Sequence, residues 1–149
     1  MLVGQRRCGK SYILRQIIQQ LINNKIKPQN ILYINLEFTD FDFLQTYKDL
    51  ADLINLYEKK QNPQGKIYLL IDEIQNIDAW EKTINSYSQD YTKDYEIFIT
   101  GSNSELLSGE LSTFLSGRYI EFKIYPFSLK VPLVFLALRF SHRVYAKIS

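Results

Sequence analysis

Apolar residues recur in pairs four apart over residues 10–24: Ile13 with Leu14, Ile17 with Ile18, Leu21 with Ile22. That spacing lays one apolar stripe along a helix, and Pro28 bars its continuation. The period then changes. "ILYINL" at 31–36 is a short β-rich run and predicts a buried strand. Leu44, Tyr47, Leu50, Ala51, Ile54 and Tyr57 restore helical spacing across 43–60, and "NPQG" at 62–65 reads as a turn. "IYLLI" at 67–71 is apolar without alternation, as in a strand covered on both faces. Beyond it the pattern predicts a helix over 80–91, a buried strand "EIFIT" over 96–100 and a helix over 104–115. An alternating outer strand, "YIEFKI", follows at 119–124.

Helices and strands therefore alternate. Alternation of this kind predicts an α/β fold, with helices on both faces of a mainly parallel sheet. A core over 1–130 and an apolar tail over 131–149 that forms no separate domain are expected. Composition adds little: 149 residues, 46% hydrophobic and 23% charged, suit one globular unit. A net charge of +2 leaves nucleic acid undetermined as a partner. The single cysteine, Cys8, forbids an internal disulfide and fits a reducing, cytoplasmic setting. Arg6 and Arg7 lead into Cys-Gly-Lys rather than an apolar stretch, so no secretory signal is read. The longest apolar run, 131–138, is far short of a membrane span. His142 has no second ligand nearby in sequence, which argues against a metal there. Trp80 and the tyrosines are spaced as core or helix-face residues, not as a stacking platform for bases.

The chemistry enters at "GQRRCGKS", residues 4–11, placed directly before the first amphipathic helix. This is G-x-x-x-x-G-K-S, a phosphate-cradling loop. Gly4 and Gly9 permit backbone conformations that a side chain would forbid. Gln5, Arg6, Arg7 and Cys8 supply inward N–H groups, and the helix beginning at Lys10, Ser11 and Tyr12 adds its positive end. Lys10 reaches the β- and γ-phosphates, and the Ser11 hydroxyl is a ligand for Mg²⁺. Arg6 or Arg7 meets phosphate or a partner's acid, or both lie in a solvated turn. Cys8 is either a reactive thiol protected by nucleotide or a buried inert one.

Asp72 and Glu73 stand at the carboxyl end of "IYLLI", where open parallel sheets bind their ligands. Asp72 is the expected second Mg²⁺ ligand, through water, and Glu73 the group that takes a proton from the attacking water. An acid beside the metal acid favours hydrolysis over phosphate transfer to an acceptor. After the next strand come Thr100, Ser102 and Asn103. Asn103 or Ser102 senses the γ-phosphate there, or caps the helix that follows.

"VGQRRCGKS", "ILYINLE", "IYLLIDEIQNIDAWE", "IFITGSNSELL" and "LSGRYIEFKIYPFS" together resemble prokaryotic AAA-type P-loop ATPases. The class is the one with an additional strand and a catalytic glutamate. The resemblance spans about residues 1–130. It implies a three-layer α/β/α core with five strands in the order 5-1-4-3-2, ATP as ligand and Mg²⁺ as cofactor. It gives Arg118 a phosphate contact, in a neighbouring subunit of a homo-oligomer, or a structural ion pair. It also implies a shortened first strand, a truncated chain and a C-terminal effector domain that this chain lacks. A strand cut short beneath the phosphate loop should leave the site's residues present but weaken its affinity.

The resulting expectation is Mg-ATP binding and hydrolysis by a nucleotide-dependent switch, with Lys10, Glu73 and Asn103 acting on the phosphates. The alternatives are a nucleotide-binding module or remnant without turnover and, less favoured, a P-loop kinase.

Overall fold

The structure is a computed structural model that describes residues 1–102 and 119–126. Five strands form one sheet: β1 (Leu2–Gly4), β2 (Ile31–Asn35), β3 (Ile67–Asp72), β4 (Tyr95–Gly101) and β5 (Phe122–Ile124). Their order is β2-β3-β4-β1-β5, which is the expected 5-1-4-3-2 seen from the other edge. Each of the four pairings is parallel. β1 is three residues long yet lies between β4 and β5, with Leu2 opposite both Thr100 and Phe122.

Helices cover both faces. α1 (Lys10–Asn23) lies on one, α2 (Tyr47–Gln61) and α3 (Trp80–Ser88) on the other. β3 shows why its run is apolar throughout. Leu69 and Ile71 join the α2/α3 core with Leu50, Ile54 and Trp80, while Tyr68 and Leu70 pack with Leu14 and Ile17 of α1. All six β3 residues are buried. Each fully buried Leu or Ile there contributes on the order of 1.5–3 kcal/mol.

Two helix boundaries differ from the periodic reading. α2 begins at Tyr47 rather than at 43, because Thr46 and Asp49 close a capping box ahead of it. The Asp49 carboxylate accepts from the Thr46 N–H and hydroxyl, both at 2.8 Å, and these bonds hold its carboxyl below the usual range. Leu44 keeps its place in the core from a turn, at 2% exposure. α3 stops at Ser88 rather than 91, where Asp90 takes the Thr92 N–H in a local turn at 2.9 Å. The expected helix at 104–115 and the tail at 131–149 lie outside the described residues, as do Asn103, Arg118 and His142.

Candidate nucleotide site

The carboxyl ends of β1, β2 and β3 gather around one cavity of about 790 Å³. Arg6, Arg7, Gly9, Lys10 and Ser11 line it together with Glu37 and Glu73. The loop is built by two departures into left-handed backbone, Arg7 at φ 64° and Gly9 at φ 97°. Gly9 adopts that geometry freely; Arg7 does so at a cost of about 1 kcal/mol. Gly4 is required for a different reason. A Cβ there would meet the Ile124 carbonyl oxygen at 2.3 Å and the Cys8 sulfur at 2.7 Å. β1 and β5 therefore close on each other only through glycine. Cys8 is 2% exposed, which fits the inert alternative rather than the reactive one.

Lys10 is nearly sealed from solvent at 3% exposure. Its Nζ donates to the carbonyl oxygens of Gly4 and Gln5, both at 3.1 Å, and lies 3.6 Å from Glu73 Oε1. The cation is thus held by the loop it belongs to and aimed at the acid of β3. Ser11 follows on the first turn of α1, beside it in the same cavity. Tyr12 is 61% exposed and does not line the cavity.

Asp72 and Glu73 part ways. Asp72 is fully buried and does not line the cavity. Thr100 Oγ1 donates to its Oδ1 at 2.5 Å, and the Tyr33 hydroxyl to its Oδ2 at 3.4 Å. Burial, and then the Asp72 charge, push the Tyr33 hydroxyl above its ordinary range. Glu73 turns into the cavity because its own backbone is left-handed, φ 56°, just before the 3-10 turn Ile74–Asn76. Its N–H donates to Thr100 Oγ1 at 3.0 Å, so one hydroxyl fixes both acids.

Three groups matter here that the motifs did not single out as site residues. Thr100 joins β3 to β4 beneath the cavity. Glu37 stands two residues past the end of β2, and its N–H caps onto Asn35 Oδ1 at 2.9 Å. The position of Glu37 just beyond an apolar run is the signal that could have found it. Gln75 donates from Nε2 to Glu73 Oε2 at 2.6 Å. Ser102 is half-buried just past β4.

Among the described residues no three His, Cys, Asp or Glu side chains cluster as a metal site. Of the two expected Mg²⁺ ligands, Ser11 lines the cavity, whereas Asp72 lies buried behind it with both oxygens accepting hydrogen bonds. No helix of the described residues is long and apolar enough to cross a membrane.

Comparison with known proteins agrees with this fold. A family model described as an AAA domain matches residues 1–131. An uncharacterized protein of Haemophilus influenzae is 47% identical over 127 residues, covering 85% of this chain and 31% of that protein. An uncharacterized protein of Methanocaldococcus jannaschii is 36% identical over 136 residues, covering 91% of this chain and 28% of that one. The chain thus spans about three tenths of the length of these relatives. Among solved structures, a DNA polymerase III gamma subunit-related protein from Thermotoga maritima aligns with a TM-score of 0.56 at 9% identity. That alignment covers 87% of this chain and 41% of the other, and it shows a shared fold.

Proposed function

Since the chain belongs to the AAA domain family, we propose that it binds Mg-ATP at the β1–α1 loop and hydrolyses it to ADP and phosphate. The observation that carries this reading is the buried Lys10, paired with Glu73 at 3.6 Å on the wall of the cavity that the loop lines. A cation that can turn to a γ-phosphate and a carboxylate beside it that can take a proton from the attacking water are what hydrolysis needs.

Each residue then has a task. The N–H groups of Arg6, Arg7 and Gly9 and of the start of α1 at Lys10 and Ser11 cradle the phosphates. Lys10 exchanges its contact with Glu73 for phosphate oxygens while keeping the Gly4 and Gln5 carbonyls. Arg6 and Arg7 add positive charge at the rim. The Ser11 hydroxyl would hold Mg²⁺, with Asp72, buried behind the cavity, reaching it through water; the ion would supply charge neutralisation at the phosphate oxygens. Glu73 takes one proton from the water. The water oxygen forms a bond to the γ-phosphorus as the bond to the β–γ bridging oxygen breaks. Asn103 or Ser102 reports the γ-phosphate at the tip of β4. A homo-oligomer, with Arg118 at a shared site, and an effector elsewhere in longer relatives complete the proposal of a switch.

The test is equilibrium binding of a fluorescent ATP analogue with Mg²⁺ to the chain and to Lys10→Ala. Loss of the buried cation should weaken affinity at least tenfold, about 1.4 kcal/mol. Equal affinity for both proteins contradicts the assigned loop. ATP consumption that rises with an added phosphoryl acceptor would point to a kinase instead.

A further inference from the structure

Glu73 is held from three directions. Its backbone N–H is anchored on Thr100, its Oε1 faces Lys10 at 3.6 Å, and its Oε2 accepts from Gln75 Nε2 at 2.6 Å. The other end of the Gln75 amide is peculiar. Its Oε1 is the one buried side-chain oxygen or nitrogen among the described residues that has no hydrogen-bond partner. The opposite amide orientation offers no relief. It would set two oxygens against each other and leave the NH₂ group buried instead. A buried acceptor without a donor is destabilising, and in native folds such groups mark strain, chemistry or a water site. The backbone that carries Gln75 is well anchored. Ile74 is fully buried, and Asn76 Nδ2 donates to the Leu36 carbonyl at 3.3 Å.

We infer that Gln75 is a positioning residue for Glu73, an inference that rests on the hydrolytic reading above. Lys10 cannot serve Glu73 and a phosphate equally. When it turns to phosphate, Gln75 Nε2 is the side-chain donor that still fixes the carboxylate. The Gln75 Oε1, buried behind Glu73 rather than on the cavity wall, is open to an ordered water there that would steady the same amide. The amide thus costs stability in the nucleotide-free protein and is repaid in the aim of the acid.

The test is Gln75→Met, which keeps length and volume but removes both polar atoms. Thermal midpoint without nucleotide, Mg-ATP affinity, KM and kcat are measured for the parent and the variant. The midpoint should shift by no more than a few degrees, because removal of the unpaired acceptor offsets part of the lost bond to Glu73 Oε2. Affinity and KM should stay within about twofold, and kcat should fall about ten- to a hundredfold through loss of aim. An unchanged kcat, or a kcat that falls only together with a tenfold loss of Mg-ATP affinity, overturns the inference. If the parent itself turns over no ATP, the hydrolytic reading fails and takes this one with it. A parent that is active while Gln75→Met is equally active overturns this one alone.

Discussion

Thr100→Val removes one oxygen and asks how much of the site hangs from it. Thr100 is fully buried. Its hydroxyl donates to Asp72 Oδ1 at 2.5 Å and accepts the Glu73 N–H at 3.0 Å. Valine keeps the shape and abolishes both bonds. Loss of a hydrogen bond to a carboxylate costs about 1.5–3 kcal/mol, and a stranded buried N–H about 1–3 kcal/mol. The two share an atom and relax together, so the expected net loss is about 2–4 kcal/mol. In a chain of this length that lowers the thermal midpoint by about 5–15 °C. Urea unfolding of the nucleotide-free protein, followed by Trp80 fluorescence, measures it directly. Thr100→Ser keeps the hydroxyl and should lose no more than about 1 kcal/mol. If Thr100→Val lies within about 0.5 kcal/mol of the parent, or if serine is as damaging as valine, the hydroxyl does not join the two acids.

Other outcomes follow from the same geometry. Gly4→Ala drives a methyl into the Ile124 carbonyl at 2.3 Å and should cost about 1–3 kcal/mol by urea unfolding, with weaker nucleotide binding. A variant as stable as the parent would mean that β1 and β5 do not close as described. Burial, with Glu58 nearby, pushes the Tyr57 and Tyr87 hydroxyls up to about 12 from an ordinary value of 10.0. Their contribution to stability is complete below the unfolded value and drains away as pH rises through the folded one. The urea midpoint of the parent should therefore fall between about pH 10 and pH 12, and less steeply in Tyr57→Phe/Tyr87→Phe. Cys8, at 2% exposure, should react with a disulfide reagent only as fast as the chain opens; labelling at the rate of a free thiol would contradict its burial.

The fold was legible because its signals are local. Four-residue spacing in α1 and the unbroken apolar run of β3 each name an element without help from elsewhere. The start of α2 was not, since Leu44 continues the helical spacing while the Thr46–Asp49 box decides where the helix begins. The site divides in the same way. Lys10, Ser11 and Glu73 stand in contiguous motifs and meet in one cavity. Thr100 enters through strand register, with Ile71 opposite Ile99, which no single stretch of sequence displays, whereas Glu37 does stand just past a legible apolar run. The left-handed backbone of Arg7 and Glu73 was hidden for another reason: neither is a glycine, so nothing in the residue type announced it.

The most direct test of the account is steady-state phosphate release and Mg-ATP affinity for the chain and for Glu73→Gln. The account predicts comparable affinity in both, with turnover in the parent reduced at least a hundredfold, about 2.7 kcal/mol, in the variant. Equal turnover in the two proteins, or no ATP binding by either, would contradict it.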